Sequence, residues 1–372
     1  MEGSSQTIQD SGASVHVQIM GKEVLIDLMT HRPSMQSRKK LEAYIETTCK
    51  AEISDEYVYQ VKVAHKNIPK DNSILIKGKP LEGVQHIIAI ASGKGGVGKS
   101  TVATGLALSL AAKGLKVGLL DIDITGPNVP KMMNLDGQRL NVESGRILPA
   151  VGPNGVKVIS MAFLLEDEST PVVWRGPIKL GAIQQFIGDV DWGNLDFLVI
   201  DFPPGTSDEP LTVAQSLPNI DGMVVVTTPQ EVALLDSRKS IGFAESLKVP
   251  IIGVVENMSG YTLRGKGASG SVFSVLGPGG KDIDVTVSDD GSWAVTLDIF
   301  KSGGGASTAE KTGVPFLGAL PFDPGVVRGG DDGVHRIIAE PEGESAKAFS
   351  AVVEKIEDFV SQDQDSDGLE II

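Results

Sequence analysis

Cysteine, long apolar stretches and clustered positive charge are all scarce in this sequence. The chain has one cysteine, Cys49, so no disulfide can form within it. No uninterrupted apolar run reaches the roughly 20 residues that a transmembrane helix requires, so we expect no membrane role. The first residues, Met1 to Gln6, lack both the basic start and the apolar stretch of a secretory signal, and we therefore expect a cytoplasmic protein.

Positive charge is the scarcer sign, because 48 acidic residues against 33 basic ones give a formal net charge of −15. Binding along a nucleic-acid backbone depends on clustered lysine and arginine, so we expect no nucleic-acid partner. Phosphate can still bind locally, where a few backbone N–H groups converge with one or two lysines. The length of 372 residues suits one large and one small domain.

The apolar pattern divides the chain into these two domains. Residues 15–80 contain strand-like stretches and one amphipathic helical stretch, which predict a small α+β domain. Its predicted strands are Val15–Leu28 and Val58–Val63, its predicted helix is Ser37–Thr48, and residues 68–80 have linker or turn composition. We expect residues 1–14 to be a disordered tail and residues 361–372 to be a frayed acidic tail.

From His86 onward, short β-branched stretches alternate with helical segments. This alternation is typical of a mostly parallel sheet covered by helices on both faces, so residues 81–360 predict an α/β domain. The predicted strands are His86–Ala91, Val117–Leu120, Phe197–Ile200, Met223–Thr227 and Ile251–Val255, and the predicted helices are Ser100–Lys113, Glu231–Leu247 and Glu344–Val360.

A glycine-rich motif follows the first of these strands. It reads Gly93-Lys94-Gly95-Gly96-Val97-Gly98-Lys99-Ser100, with Thr101 next, and matches the P-loop pattern G-x-x-x-x-G-K-[ST] before a helical stretch. Its backbone N–H groups can bind phosphates, Lys99 can reach the β- and γ-phosphates, and Ser100 can offer its hydroxyl to Mg²⁺. The alternative is a flexible glycine-rich turn, which the strand–loop–helix context disfavours. We expect residues 93–101 to bind the nucleotide.

Lys94 is an addition that an ordinary P-loop does not need. With it, the stretch Gly93–Thr101 resembles the deviant phosphate loop of the MinD/ParA class of ATPases, in which the first lysine reaches across a dimer to the partner's nucleotide. The resemblance implies a catalytic role for Lys94 and a homodimer that encloses ATP. The alternative is an ordinary solvent-exposed lysine.

Carboxylates follow two of the predicted buried strands. Asp121 and Asp123 come after Val117–Leu120, at the edge of a parallel sheet where ligands bind. Resemblance to this ATPase class makes Asp123 the candidate that orients the attacking water, and the alternative is an Asp that begins a turn. Asp201 follows Phe197–Ile200 in a Walker B pattern, so we expect it to bind Mg²⁺ through water.

An amide follows another predicted strand. Asn257 comes after Ile251–Val255, and its side chain can both donate and accept hydrogen bonds. The resemblance implies that Asn257 selects adenine. The alternative is a turn residue, which is the commoner role of Asn at a strand end.

Residues 86–360 resemble the Mrp/ApbC family of iron-sulfur cluster carrier ATPases more closely than MinD or ParA themselves. The matching stretches are Asp121–Asn128, Asp201–Asp208, Thr228–Asp236, Glu256–Gly260, Gly303–Gly305 and Val314–Pro324. The resemblance implies an Mg²⁺-dependent ATPase that acts as a homodimer with iron-sulfur apo-proteins or another protein as partner. The small N-terminal domain is similar to the one that precedes many Mrp ATPases.

The sequence departs from the family after Gly260, where the family carries a Cys-x-x-Cys pair that bridges a cluster between two subunits. Residues 261–298 are instead a Gly- and Ser-rich insert, in which Ser271–Val275 and Ile283–Val287 predict hairpins. A cluster usually takes four thiolates, whereas a homodimer of this chain holds only its two copies of Cys49. We therefore expect that the family's cluster site is lost.

Other functions remain open at this point. The main alternative is a MinD/ParA-like dimerisation switch that regulates or positions a protein partner, and a metabolic kinase ranks lower because no acceptor site stands out. Asp363, Asp365 and Asp367 disfavour a membrane-seeking terminal helix, which would bring Lys or Arg. His335 replaces the family's usual proline, and we expect it on a surface loop without a role.

Overall fold

The structure, a computed structural model, describes most of the chain as two units, Met1–Leu75 and Ile76–Ile372. The described residues are 14–30, 35–65, 81, 83–123, 126–164, 176–206, 208–217 and 220–367. The predicted linker at 68–80 and most of the predicted N-terminal tail lie outside these ranges, so the domain boundaries stay predictions. Within the described ranges, no helix combines the length and apolar character of a membrane span.

The first unit is a three-stranded sheet with one helix. Its elements are β1 (Ser14–Met20), β2 (Glu23–Thr30), α1 (Met35–Glu52) and β3 (Val58–His65). β2 pairs with antiparallel β1 on one side and with parallel β3 on the other. Val24, Ile26 and Tyr59 form a small buried cluster, against which Cys49 is partly buried. The predicted strands and helix of this region are confirmed.

The second unit alternates strands and helices. In chain order its elements are β4 (Val84–Ser92), α2 (Lys99–Ala112), β5 (Val117–Asp121), α3 (Val129–Met132), β6 (Asn141–Glu143), β7 (Arg146–Leu148), β8 (Ala150–Val151), β9 (Lys157–Ser160), α4 (Gly176–Gly188), β10 (Leu195–Asp201), α5 (Asp208–Ser216), β11 (Gly222–Thr227), α6 (Glu231–Ser246), β12 (Ile251–Glu256), β13 (Tyr261–Lys266), β14 (Val272–Leu276), β15 (Asp282–Thr286), β16 (Ser292–Leu297), α7 (Gly304–Thr312), β17 (Phe316–Ala319), α8 (Pro324–Asp332), α9 (Arg336–Ala339) and α10 (Glu344–Asp367). The five predicted strands correspond to β4, β5, β10, β11 and β12, and the three predicted helices to α2, α6 and most of α10.

Helix α10 continues beyond the predicted boundary at Val360. The sequence predicted a frayed tail from Ser361, but the helix extends to Asp367. Up to Val360, a series of buried apolar residues holds the helix against the sheet. Once a helix is nucleated, each further residue costs little, so polar residues can prolong it.

A central sheet of eight strands organises the second unit. The strand order is β17-β12-β11-β4-β10-β5-β9-β8, and only β8 runs antiparallel to its neighbour. The predicted mostly parallel sheet is confirmed. The sequence did not predict β8, β9 and β17. They have only two to four residues each, too few for a clear alternation of apolar and polar residues.

Helices cover both faces of this sheet, as predicted. Along β4, Ile88 and Ile90 pack into one buried cluster with α2, α9 and α10. Ile87 and Ala89 point to the opposite face and pack into a second cluster with α4, α5, α6 and α7. Full burial of each Ile or Leu side chain stabilises the fold by about 1.5–3 kcal/mol, which explains why these strands are almost wholly apolar.

The insert at residues 261–298 forms two nested hairpins. β14 pairs with antiparallel β15, and the flanking strands β13 and β16 pair antiparallel around them. The predicted hairpins are confirmed. Trp293 of β16 contacts Phe273 of β14 with ring centroids 5.1 Å apart. It also covers Gly265 so closely that a Cβ there would lie 2.3 Å from the indole, which explains a glycine within β13.

Candidate functional site

The P-loop lies at the carboxyl edge of the central sheet, between β4 and α2. Gly96 and Gly98 have φ angles of 81° and 79°, in the left-handed region that glycine adopts without strain. Gly93 packs against α6, where a Cβ would lie 2.2 Å from the backbone carbonyl of Asp236. These glycines are therefore required by the path of the loop and by its close contact with α6.

The loop lines an open cavity of about 260 Å³. Its walls include the predicted residues Lys94, Gly95, Gly96, Gly98, Lys99, Ser100, Thr101 and Asp123, together with Gly126, Asn128 and Pro204. Gly93 and Val97 are not part of the lining, because Gly93 faces α6 and the Val97 side chain is buried in the core. Most of the predicted nucleotide-binding residues thus surround one cavity at the N-terminus of α2, where N–H groups and the helix dipole favour anions.

A buried ion pair lies beneath this cavity. The Lys99 Nζ is 2.5 Å from Asp201 Oδ1, and the two side chains are 6% and 0% exposed. Burial raises the pKa of Asp201, and the charge of Lys99 opposes that rise. The second oxygen, Oδ2, is buried and has no hydrogen-bond partner among the described residues. Lys99 therefore bonds only one of the two carboxylate oxygens of Asp201, next to the P-loop.

The oxygen atoms here fit a magnesium ion. Mg²⁺ in nucleotide sites takes one or two protein oxygens and completes its shell with phosphates and water. Ser100 at the start of α2 and Oδ2 of Asp201 supply such oxygens. The described residues contain no cluster of three or more His, Cys, Asp or Glu side chains that could hold a metal ion by themselves. A metal at this edge would therefore depend on the phosphates of a bound nucleotide.

Asp121 and Asp123 differ in their surroundings. Asp123 lines the cavity. Asp121 is fully buried behind it, where Oδ1 accepts a hydrogen bond from the Asp123 backbone N–H at 3.1 Å and Oδ2 accepts one from Ser160 Oγ at 2.8 Å. Burial raises the pKa of Asp121 to about 8, and the charge of Asp201 adds to this rise. Asp121 is the turn-stabilising Asp, whereas Asp123 faces the cavity.

Asn257 contacts the phosphate loop directly. Its Nδ2 donates to the carbonyl oxygen of Val97 at 2.9 Å, and a Cβ on Gly98 would lie 2.3 Å from that nitrogen. The backbone N–H of Asn257 donates to Thr227 O at 2.8 Å. Asn257 therefore holds the loop against the end of β12, and its selection of adenine stays a prediction.

Glu256 is an anchor that sequence reasoning missed. Its buried carboxylate accepts hydrogen bonds from Ser259 Oγ at 2.6 Å, Gly303 N at 3.1 Å and Gly305 N at 2.5 Å. Ser259 precedes the insert and the two glycines follow it, so one side chain joins both ends of the insert. The sequence shows Glu256 within a matching motif, but not its partners nearly fifty residues away.

His335 lies in the loop between α8 and α9, as the sequence predicted, but its side chain is half-buried rather than fully exposed. It precedes α9 and is half-buried against α3, where its ring bonds the backbone of Met132 and its Nε2 is buried. Burial lowers the pKa of His335, and the bond to Met132 opposes this effect. The cause of this burial is a set of tertiary contacts, because α8 packs against both α3 and α9.

A larger cleft lies away from the P-loop. It measures about 870 Å³ between β13 and the start of α10, and it contains none of the predicted site residues. Its four acidic side chains all pair with its own cations, namely Asp323 and Glu340 with Arg336, Glu344 with Arg264 and Glu342 with Lys347. The P-loop cavity is smaller, but it combines the backbone N–H groups of a P-loop with the side chains of Lys99, Ser100 and Asp123.

The parallel sheet, the P-loop and the Walker B aspartate together define a P-loop NTPase. Known proteins with similar sequences belong to the same class and define a narrower family within it. The matching family model is ParA, the NUBPL iron-transfer P-loop NTPase, over residues 83–286 and 290–357. The chain belongs to this family. The resemblance to iron-sulfur cluster carriers that the sequence predicted is confirmed.

Individual relatives cover most of the second unit. The iron-sulfur cluster carrier protein of Saccharolobus solfataricus is 42% identical over 284 residues, which are 76% of this chain and 87% of the relative. That of Methanocaldococcus jannaschii is 44% identical over 276 residues, 74% of this chain and 86% of the relative. A solved nucleotide-binding protein from Archaeoglobus fulgidus, in complex with ADP, is 33% identical with a TM-score of 0.55, covering 72% of this chain and 93% of its own.

Proposed function

We propose that this protein binds ATP with Mg²⁺ and hydrolyses it, in the manner of an iron-sulfur cluster carrier ATPase whose family cluster site is lost. The observation that carries the proposal is the buried Lys99–Asp201 pair beneath a P-loop cavity that Asp123 also lines. The A. fulgidus protein of similar fold binds ADP, which supports a nucleotide in this cavity.

In the proposed mechanism, this chain binds the phosphates and positions water. Backbone N–H groups of the loop and of the α2 N-terminus bind the phosphate oxygens, and Lys99 turns from Asp201 toward the β- and γ-phosphates. Ser100 and Asp201 would hold Mg²⁺, which when bound neutralises phosphate charge. Asp123 orients the attacking water, and Asn257 contacts the adenine from the end of β12.

We also propose a homodimer in which Lys94 acts on the partner's nucleotide. Lys94 lines the cavity and is partly exposed, and none of the ion pairs among the described residues includes it. A cation with this freedom, at the rim of a phosphate site, can neutralise charge that develops on a phosphate facing it.

In this proposal, Cys49 does not replace the cysteine pair with which the family bridges a cluster between two subunits. Cys49 is the chain's one thiol, it packs against an apolar cluster, and burial together with the nearby charge of Glu52 raises its pKa. A raised pKa disfavours the thiolate that binds iron. The partners would be iron-sulfur apo-proteins or another protein, and the proposed location is the cytoplasm, as for the relative named cytosolic Fe-S cluster assembly factor CFD1 in Eremothecium gossypii.

The second candidate is a nucleotide-driven dimerisation switch that regulates or positions a protein partner. The insert favours it, because four strands stand at 261–298 where the family has its cysteine pair. Such a switch needs nucleotide and a partner but no iron.

Anaerobic cluster reconstitution tests the proposal and separates the two candidates. Iron and acid-labile sulfide would be measured per monomer of the full-length protein, with ATP turnover recorded in the same sample, and Lys99→Ala would serve as the control for contaminating ATPases. We expect Lys99-dependent turnover without stoichiometric cluster. Stoichiometric cluster would refute the loss of the cluster site, and absence of Lys99-dependent turnover would refute the ATPase.

A further inference from the structure

Three neighbouring strands of the central sheet end in a row of buried polar residues. Asp201 of β10 pairs in register with Asp121 of β5, and Asp121 pairs in register with Ser160 of β9. All three side chains are fully buried. Asp201 bonds Lys99, as described above, which leaves Asp121 and Ser160 to be explained.

Ser160 makes two buried hydrogen bonds. Its hydroxyl oxygen accepts the backbone N–H of Ala162 at 3.1 Å. The same hydroxyl is hydrogen-bonded to Asp121 Oδ2 at 2.8 Å. Ser160 is therefore held from behind by the Ala162 backbone and hydrogen-bonded to the Asp121 carboxyl group.

Asp121 connects Ser160 to Asp123, the residue that faces the cavity. Both of its oxygens are occupied, Oδ2 by Ser160 and Oδ1 by the backbone N–H of Asp123. It does not belong to the lining of the P-loop cavity, whereas Asp123 does. With both oxygens held, the Asp121 side chain cannot rotate without breaking a buried hydrogen bond, which costs a buried polar group its partner.

We propose that Ser160 and Asp121 form a brace that positions Asp123 for hydrolysis. Ser160 is then a positioning residue, acting through Asp121 on the backbone of Asp123, and it touches neither nucleotide nor water. The inference rests on the proposed ATPase for its kinetic consequence. Its structural consequence, a fixed Asp123 backbone, holds without nucleotide.

The kinetic test compares Ser160→Ala with the wild-type protein. Removing a residue that orients a functional side chain through a hydrogen bond typically lowers activity about 10- to 100-fold. We expect a fall in kcat of that order for Ser160→Ala. The KM for ATP and the affinity for ADP should stay within about twofold, since the P-loop binds the phosphates. Ser109→Ala is the matched control, because Ser109 is also a buried serine of this unit but has no hydrogen-bond partner among the described residues.

A second measurement does not depend on turnover. Hydrogen–deuterium exchange of the segment that contains Asp123 should be faster in Ser160→Ala than in the wild type and in Ser109→Ala, all without nucleotide. Ser160→Cys keeps the size of the side chain with a weaker donor and should fall between wild type and Ser160→Ala in both assays, so it serves if the alanine variant does not fold.

The outcomes separate the brace from the ATPase. Faster exchange at Asp123 with reduced kcat supports both. Faster exchange in Ser160→Ala, together with a wild-type protein that does not turn over ATP, supports the brace and refutes the proposed ATPase. Unchanged exchange and unchanged kcat in a folded Ser160→Ala variant overturn the brace, as would an equal fall in kcat in Ser109→Ala.

Discussion

Removal of Asp201 gives the sharpest test of the candidate site, because Lys99 would then be buried without a counter-charge. At the observed 2.5 Å, the pair attracts by about 7 kcal/mol with an effective dielectric of about 20, and the desolvation of both groups offsets most of this. Removing one partner of such a buried pair typically costs about 3–5 kcal/mol. We therefore expect the isosteric variant Asp201→Asn to lower the stability of the nucleotide-free protein by that amount.

The expected loss can be measured by thermal unfolding. All three tryptophans, Trp174, Trp192 and Trp293, belong to the second unit, so tryptophan fluorescence follows the unit that contains the pair. For a domain of this size, the loss corresponds to a fall in Tm on the order of 10 °C. Asp136→Asn is the control, since the ion pair of Asp136 with Lys131 is about half exposed and should be worth less than about 1 kcal/mol.

Nucleotide should compensate for the missing carboxylate. The phosphates of ADP, added with a chelator and no Mg²⁺, give Lys99 a new counter-charge, whereas in the wild-type protein Lys99 must first leave Asp201. ADP at saturating concentration should therefore raise the Tm of Asp201→Asn by more than it raises that of the wild type. Equal Tm values for the variant and the wild type without nucleotide would refute the buried ion pair.

Three further changes have expected outcomes. Asp123→Asn should retain ADP affinity and reduce kcat about 10²- to 10⁴-fold, as expected for loss of the group that orients water; unchanged steady-state turnover would contradict that role. Glu256→Gln sets an amide against backbone N–H groups and should lower stability by about 1–3 kcal/mol in urea unfolding, whereas Glu231→Gln, whose pair with Lys301 is exposed, should change it little. Burial lowers the pKa of His335, so the unfolded chain binds more protons below about pH 6.5 and stability falls as the pH decreases through that value. His335→Gln should flatten this part of the stability profile, and an unchanged slope would show that other groups cause it.

The sequence predicts the position of the P-loop between a strand and a helix, because that part of the candidate site is contiguous. The P-loop occupies nine consecutive residues, and the strand before it and the helix after it each have their own apolar pattern. The same holds for the hairpins of the insert, where alternation over five residues is enough to indicate a strand. For these contiguous patterns, the structure agrees with the prediction, whereas the frayed tail predicted from the composition after Ser361 is helical to Asp367.

The strands that were missed and the partial burial of His335, which the sequence did not predict, have a common cause. β17 and β9 have four residues each and derive their conformation from pairing with longer strands beside them. His335 is half-buried because α3 packs against its surroundings, which no local pattern near residue 335 indicates. Local propensity is a weak guide for such short or dependent elements.

By itself, the sequence determined the kind of loop, the acidic strand ends and the absence of a cysteine pair after Gly260, since each of these is a property of adjacent residues. Only the tertiary structure decided which groups meet. Lys99 and Asp201 are 102 positions apart, Ser160 and Asp121 are 39 apart, and Glu256 and Gly305 are 49 apart. The parallel sheet aligns the ends of distant strands at one edge, and burial there obliges each polar group to find its partner among whatever the register brings beside it.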